Sequence, residues 1–228
     1  MSGRLYLVGT PIGNMGDFSP RAVETLKSVD FIAAEDTRVT KKLLEHFSIR
    51  KPLVSYFEHN IYASAADIFA RIEAGETCAL VTDAGMPAIS DPGAVIVSMC
   101  AEKSIEVLTV PGPSALISAL ALSALPTQRF CFEGFLSTSG KSRREHLESL
   151  KDEHRTMIFY EAPHKLPRTL EDMKNTFGGD RRISICRELT KRNEESLRTD
   201  LAGAIEHFTA TPPKGEFVLI IDGAPKKE

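Results

Sequence analysis

The sequence predicts an α/β protein of two domains, and two observations support this fold class. Residues 4–110 alternate short apolar runs with amphipathic runs of about ten residues, which is the pattern of parallel strands joined by helices. After Pro111 the connections lengthen and suit hairpins, so a second, mixed sheet is expected. We therefore predict an N-terminal α/β domain over residues 1–113, with a five-stranded, mainly parallel sheet. A C-terminal α/β domain with a mixed sheet follows over residues 114–228.

Strands and helices alternate strictly in the predicted N-terminal domain. The strands are Arg4–Gly9, Phe31–Ala34, Leu53–Tyr56, Cys78–Thr82 and Glu106–Val110. The helices are Ser19–Ser28, Arg38–Phe47, Ser64–Ala74 and Gly93–Glu102. Ser19 is a good N-cap residue with Pro20 at the first helical position, and Gly75 is placed to end the third helix.

The predicted C-terminal domain has longer connections between its elements. Its strands are Phe130–Gly134, Thr156–Tyr160, Ile183–Arg187, the short run Ser196–Asp200 and Glu216–Asp222. Its helices are Ser114–Leu125, a helix that opens in the polar stretch Ser137–Arg144 and reaches Leu150, Leu166–Phe177 and Leu201–Phe208.

Composition limits the possible classes of protein. The 228 residues carry a net charge of −3 and are 42% hydrophobic, which is ordinary for a soluble globular protein. No apolar run approaches the roughly 20 residues of a membrane span, and the N-terminus has no signal-peptide pattern. The four cysteines are scattered without a CxxC pair, so we expect core thiols in the cytoplasm rather than disulfides or a metal site.

Three glycine- and proline-rich loops follow predicted strands of the first domain, at Gly9–Asn14, Asp83–Gly93 and Pro111–Ser114. In a parallel sheet they emerge at one edge, beyond the carboxyl ends of the strands, where ligands bind. Glycine lets the backbone approach a ligand and proline keeps it rigid. The loops therefore predict a shared ligand pocket, and the alternative is that each is a structural turn. The first loop lacks the GxGxxG spacing of a dinucleotide site.

A fourth glycine-containing segment, Gly134–Ser142, approaches the pattern of a phosphate-binding P-loop. Five residues separate its glycines where a P-loop has four, so the backbone amides would be misdirected. We interpret the segment as a polar loop that caps a helix.

Eight motifs occur in order along the chain and carry a family resemblance. They are GTPIGN (Gly9–Asn14), AAEDTR (Ala33–Arg38), TDAGMPAISDPG (Thr82–Gly93), VPGPSA (Val110–Ala115), EGFL (Glu133–Leu136), FYEAPHK (Phe159–Lys165), RELTK (Arg187–Lys191) and KGEFVLI (Lys214–Ile220). With them the chain resembles the ribosomal small-subunit RNA 2′-O-ribose methyltransferase I family, a branch of the tetrapyrrole-methylase-like superfamily. Met86 departs from the family pattern, which usually has Thr there, and Ser137 stands where Pro is usual.

This resemblance implies S-adenosyl-L-methionine as the methyl donor, bound in a folded conformation in a cleft between the two domains, with no metal. It implies a homodimer that methylates the ribose 2′-hydroxyl of a cytidine in small-subunit (16S) ribosomal RNA, within the 30S subunit. The cofactor-binding residues are expected to be Thr10, Pro11, Ile12, Asp83, Gly85, Met86, Pro87, Ala88, Ser114, Ala115, Tyr160 and Ala162. The alternative for these loop residues is plain packing.

A ribose hydroxyl is a weak nucleophile, so a carboxylate that accepts its proton would assist methyl transfer. The candidates are Glu161, Glu35, Asp36 and Glu188, with a slight preference for Glu161 because it follows an apolar strand and precedes a proline by two residues. Each has a structural alternative. Asp36 or Thr37 could cap a helix, and Glu188 could pair with a neighbouring cation.

Contact with RNA phosphates needs cations despite the acidic total charge. The candidates for RNA binding are Arg38, His59, Asn60, Lys141, Arg143, Arg144, His164, Lys165, Arg187 and Lys191. Two rival functions stay open: a methylase of the same superfamily that acts on a tetrapyrrole or diphthamide precursor, and a ribosome-binding module without catalytic activity.

Overall fold

The chain divides into two units between Ser114 and Ala115, and a five-stranded sheet forms the centre of the first. The structure is a computed structural model that describes residues 3–57 and 61–225. The strands of the first unit are β1 (Leu5–Val8), β2 (Phe31–Ala34), β3 (Leu53–Ser55), β4 (Cys78–Val81) and β5 (Val107–Val110). Their order in the sheet is β3-β2-β4-β1-β5, and the four pairings are parallel. The prediction of a parallel sheet is confirmed.

Both faces of this sheet are buried, as a parallel sheet with helices on each side requires. In β4, Cys78 and Leu80 belong to one apolar cluster while Ala79 and Val81 belong to another. The covering helices are α1 (Pro20–Ser28), α2 (Thr37–His46), α3 (Ile61–Glu73) and α4 (Ala94–Glu102), with a 3-10 turn over Met15–Asp17.

The helix boundaries follow local signals in most places. The Ser19 hydroxyl accepts a hydrogen bond from the amide of Ala22, as predicted for the N-cap of α1. The structure corrects the start of α3, which lies three residues before the predicted Ser64 because Ile61 packs against the core.

The second unit has a mixed sheet, which confirms the prediction for this half. Its strands are β6 (Phe130–Phe135), β7 (Thr156–Glu161), β8 (Arg182–Arg187), β9 (Glu195–Asp200) and β10 (Phe217–Ile221). Their order is β6-β7-β10-β8-β9, with β6 and β7 parallel and the other pairs antiparallel. The helices are α5 (Ala115–Leu122), α6 (Gly140–Ser149), α7 (Leu166–Phe177) and α8 (Leu201–Ala210).

The end of α5 differs from the prediction by three residues. Ser123 terminates the helix, because its hydroxyl donates to the carbonyl of Leu120 and accepts from the amide of Leu125. Ala124 then takes a left-handed conformation with φ of 57°. No helix in the described part of the chain is long and apolar enough to cross a membrane.

Candidate functional site

The strand order of the first unit places its glycine-rich loops beside one another. β1 lies between β4 and β5, and β2 lies on the other side of β4. Because the pairings are parallel, the segments after these four strands leave the same edge of the sheet. The sequence predicted a common edge, and the structure shows that these loops come from adjacent strands.

The loops after β1 and β4 are joined backbone to backbone. The amide of Thr10 donates to the carbonyl of Gly85 at 2.9 Å, and the amide of Gly85 donates to the carbonyl of Thr10 at 3.1 Å. The Thr10 side chain is 2% exposed, and its hydroxyl donates to the carbonyl of Thr82 at 3.0 Å. Gly85 has a φ of 90°, a conformation that residues with a Cβ rarely adopt. Thr10 is therefore a structural link between two loops.

The loops after β1 and β5 also touch, at a pair of glycines. A Cβ on Gly112 would lie 2.8 Å from the Cα, carbonyl carbon and oxygen of Gly9. A Cβ on Gly9 would lie 2.7 Å from the Cα of Gly112 and 2.6 Å from the sulfur of Met86. Only glycine at both positions permits this approach. The three loops thus form one site whose walls consist largely of backbone.

The side chains of this site differ in their exposure. Ile12 and Pro87 are buried, while Ile89 is 60% exposed. Ala88 has a positive φ of 66°, an uncommon conformation for a residue with a Cβ. Met86 is half-buried, so Ile89 is the one exposed side chain among the three apolar residues Ile12, Met86 and Ile89 of this site.

Carboxylates line the same edge of the sheet. Glu35 accepts a hydrogen bond from the hydroxyl of the buried Thr82 at 2.6 Å, and Asp83 accepts one from the amide of Asp36 at 3.1 Å. Asp36 is the N-cap of α2, so this structural alternative is confirmed, and it also binds the Arg38 guanidinium at 2.6 Å.

The surroundings of these carboxylates shift their pKa values in opposite directions. The hydrogen bonds from the Arg38 side chain and amide lower the pKa of Asp36 to about 2. Burial raises the pKa of Asp83 and, helped by the charge of Glu35, raises that of Asp91 to about 6. Asp36 is therefore a weak proton acceptor, whereas Asp83 and Asp91 bind protons more readily than an ordinary aspartate.

The two carboxylate candidates in the second unit are held by structural contacts. Glu161 is 3% exposed, and its oxygens accept hydrogen bonds from the hydroxyl of Thr169 at 2.6 Å and the amide of Ala162 at 2.8 Å. Glu188 pairs with Lys191 at 2.8 Å, and this hydrogen bond lowers the pKa of its carboxyl group. The slight preference for Glu161 as the base gains no support from this geometry, because both of its oxygens are occupied inside the unit.

Arg143 corrects the predicted set of RNA-binding cations. It is 4% exposed, and its guanidinium binds Asp172 at 2.6 Å, because this side of α6 packs against α7. Its side chain is therefore not available at the surface. Other predicted cations also have acidic partners: besides Arg38 with Asp36, Arg187 pairs with Glu195 at 3.1 Å, and Lys191 also binds Glu216 at 2.7 Å.

The remaining predicted residues occupy varied positions. Lys141, Arg144 and His164 are exposed, whereas Lys165 is half-buried before α7. Tyr160 packs against the rings of Phe132 and Phe135. Ser114 ends the first unit and Ala115 begins α5 in the second. His59 and Asn60 lie outside the described residues.

Three residues of the site were missing from the predicted set. Gly9 and Gly112 belong to the motifs GTPIGN and VPGPSA, but their contact depends on the neighbouring positions of β1 and β5. Thr82 looked like the last residue of a strand, and its hydroxyl binds Glu35. The available signal was a glycine within two residues of the end of each of two strands, and no local pattern identified Thr82.

The fold and the loop site together define a class of protein. Residues 4–205 match the family described as tetrapyrrole (corrin/porphyrin) methylases, and the chain belongs to it. The fold is shared with a crystal structure of diphthine synthase, with a TM-score of 0.71 at 14% identity over 97% of this chain and 90% of that one.

Relatives of higher sequence identity show which family within this class the chain belongs to. A Synechocystis protein named ribosomal RNA small subunit methyltransferase I is 54% identical over 97% of this chain and 80% of its own length. A Halalkalibacterium halodurans protein of the same name is 51% identical over 99% of this chain and 78% of its own length. The chain therefore belongs to the ribosomal RNA small subunit methyltransferase I family.

Replacement of Gly112 by alanine is expected to disturb the joined loops. The new Cβ would meet backbone atoms of Gly9, so we expect a loss of about 1–3 kcal/mol in the free energy of unfolding, measured by urea denaturation. Gly179→Ala is the control, because its Cβ would meet its nearest neighbour at an ordinary 3.6 Å. Equal losses in the two variants would contradict the close glycine contact.

Adjacent arginines in α6 are expected to differ in their effect on stability. Arg143→Ala leaves Asp172 largely buried without its partner, so the free energy of unfolding should fall by about 3 kcal/mol or more. Arg144→Ala removes an exposed side chain and should change it by less than about 0.5 kcal/mol. Urea denaturation of both variants measures the difference, and equal stabilities would refute the buried role of Arg143.

Proposed function

We propose that this protein transfers the methyl group of S-adenosyl-L-methionine to a ribose 2′-hydroxyl of small-subunit ribosomal RNA, at a cytidine. The observation that carries the proposal is the set of joined loops after β1, β4 and β5, in a chain of this methyltransferase family. The resemblance supports a homodimer, a cytoplasmic location and the 30S subunit as partner, and all three are part of the proposal.

The chemistry of the loop site suits S-adenosyl-L-methionine. The molecule offers ribose hydroxyls, an amino-acid group and an adenine, which backbone groups and one carboxylate can bind. Gly112 is half-buried, so part of its backbone is open to a ligand, and the Asp83 side chain is exposed at the loop surface, whereas Gly85 is buried and holds the loop in place. A site made largely of backbone also tolerates Met86 in place of the usual Thr, because few contacts depend on that side chain.

When bound, the cofactor supplies a sulfonium methyl group that is already activated for displacement. The loops of the first unit would then act mainly by holding the methyl group and the ribose hydroxyl in line. Rigidity serves this role, and the paired hydrogen bonds between Thr10 and Gly85 provide it.

Among the four predicted carboxylates, we propose Glu35 as the group that accepts the hydroxyl proton. Asp36 is a weak base because of its bonds to Arg38, and Glu188 is ion-paired with Lys191. Glu161 is buried with both oxygens bonded, as described above. Glu35 is half-buried at the loop edge, and its contact with Thr82 occupies one oxygen.

The test is a methyl-transfer assay with purified wild-type protein and tritiated S-adenosyl-L-methionine. Naked 16S ribosomal RNA, assembled 30S subunits and a tetrapyrrole precursor are offered separately. The proposal expects label in ribosomal RNA, at a nucleotide whose 3′ phosphodiester resists alkali because its 2′-hydroxyl is methylated. Label only in the tetrapyrrole would overturn the ribosomal assignment, and binding of 30S subunits without transfer would favour a module without catalytic activity.

Loss of the Asp83 carboxylate is expected to weaken cofactor binding. Asp83→Ala removes hydrogen bonds to a charged group, worth about 1.5–3 kcal/mol, so the Kd for S-adenosyl-L-methionine should rise at least about tenfold. Isothermal titration calorimetry measures it, with Asp67→Ala on the exposed side of α3 as the control. Unchanged affinity in Asp83→Ala would show that Asp83 does not bind the cofactor.

Glu35→Gln tests the proton acceptor without changing the size of the side chain. We expect kcat for RNA methylation to fall by about 100-fold, while the Kd for S-adenosyl-L-methionine changes less than about twofold. Glu24→Gln on the exposed surface of α1 is the charge-matched control. Wild-type kcat in the Glu35 variant would exclude Glu35 as the base.

A further inference from the structure

Two guanidinium groups of the second unit converge on one glycine. Gly140 is the first residue of α6, and the point where its Cβ would stand lies 2.9 Å from Nη2 of Arg168 and 3.1 Å from Nη1 of Arg144. The two nitrogens are therefore at most about 6 Å apart. Arg144 comes from α6 and Arg168 from α7, so the contact joins two helices.

Neither arginine has an acidic partner in the part of the chain that the structure describes. Glu171, three residues after Arg168 in α7, forms no ion pair with either arginine, and the other nearby acidic residues of the two helices are engaged elsewhere. Asp172 binds Arg143, Glu145 lies 3.8 Å from Lys141, and Glu148 pairs with Lys151. Both guanidinium groups are exposed, so two like charges face each other without a counterion. Such an arrangement gains stability when an anion bridges the two charges.

We propose that Arg144 and Arg168 together bind one phosphodiester group of the RNA substrate, in the space beside Gly140. Charge-assisted hydrogen bonds from guanidinium to phosphate are about 2.8 Å long, so one phosphate can accept from both nitrogens. The positive end of the α6 dipole adds to the attraction. This inference rests on the proposed function, because RNA is the source of the phosphate, and it adds Arg168 and Gly140 to the RNA-binding residues.

The glycine spacing of the segment Gly134–Ser142 does not fit a P-loop, and the arginine pair gives the segment a different role. A P-loop binds phosphates mainly through backbone amides and one lysine. Here the two guanidinium groups provide the contacts, and the glycine provides room for them. Because Gly140 has no Cβ, two arginine side chains can reach the same place.

Removal of one arginine tests the site through the salt dependence of RNA binding. Arg168→Ala should weaken binding of naked 16S ribosomal RNA about five- to tenfold in a filter assay. The slope of log K against log salt should fall by about 0.7–0.9, as expected for one lost phosphate contact. Arg129→Ala is the matched control. This exposed arginine directly precedes β6, whose six residues span about 20 Å, so it lies at the other end of that strand from the loop that leads to α6.

A second variant fills the space beside Gly140 and leaves every charge of the protein unchanged. Gly140→Ala places a Cβ against the two guanidinium groups, which can move because they are the flexible ends of long side chains. We expect the fold to tolerate alanine at a helical position and RNA affinity to fall about threefold. The Kd for S-adenosyl-L-methionine, measured by calorimetry, should stay within about twofold of wild type in all of these variants.

The outcomes separate this inference from the proposed function. Wild-type RNA affinity and salt slope in Arg168→Ala, in a protein that methylates ribosomal RNA, would overturn the arginine site alone. A wild-type protein that neither binds nor methylates small-subunit RNA would overturn both. Weaker binding of inorganic phosphate in Arg168→Ala, with unchanged RNA binding, would assign the pair to a free anion and overturn the RNA assignment.

Discussion

The close approach of Gly9 and Gly112 is the constraint on which the site of the first unit depends. β1 is flanked by β4 and β5, and the loops that follow these neighbours meet the loop after β1 on its two sides. The backbones can come this close only because neither glycine has a Cβ. With both contacts made, the loops have little freedom, which suits a reaction that depends on positioning.

The carboxylates at the edge of the sheet differ because of their neighbours rather than their residue type. Asp36 is kept charged by Arg38, while burial raises the pKa values of Asp83 and Asp91. The charge of Glu35, which accepts a hydrogen bond from Thr82, adds to the raised pKa values of Asp83 and Asp91. One edge of one sheet therefore holds a fixed anion and several groups that can exchange protons, as a site for weak nucleophiles requires.

The second unit shows how neighbouring residues of one type can have opposite roles. Arg143 and Arg144 are adjacent on α6, and a helix turns by about 100° at each residue. Arg143 consequently points inward to Asp172, whereas Arg144 points outward and meets Arg168 beside Gly140. The first arginine stabilises the packing of α6 on α7, and the second is free to bind an anion.

Local patterns in the sequence determined most elements, the parallel and the mixed sheet, and the family. Hydrophobic periodicity, capping at Ser19 and glycine after strands are properties of neighbouring residues, so they are readable without the fold. The end of α5 at Leu122 was missed because it depends on the hydroxyl of Ser123.

Only the tertiary structure decided which loops touch and which charges are available. The order β3-β2-β4-β1-β5, the burial of Glu161 and the pairing of Arg143 with Asp172 come from contacts between residues far apart in the chain. A motif shows that a glycine or a carboxylate is present. Its partners depend on which strands and helices pack side by side, and that information is not local.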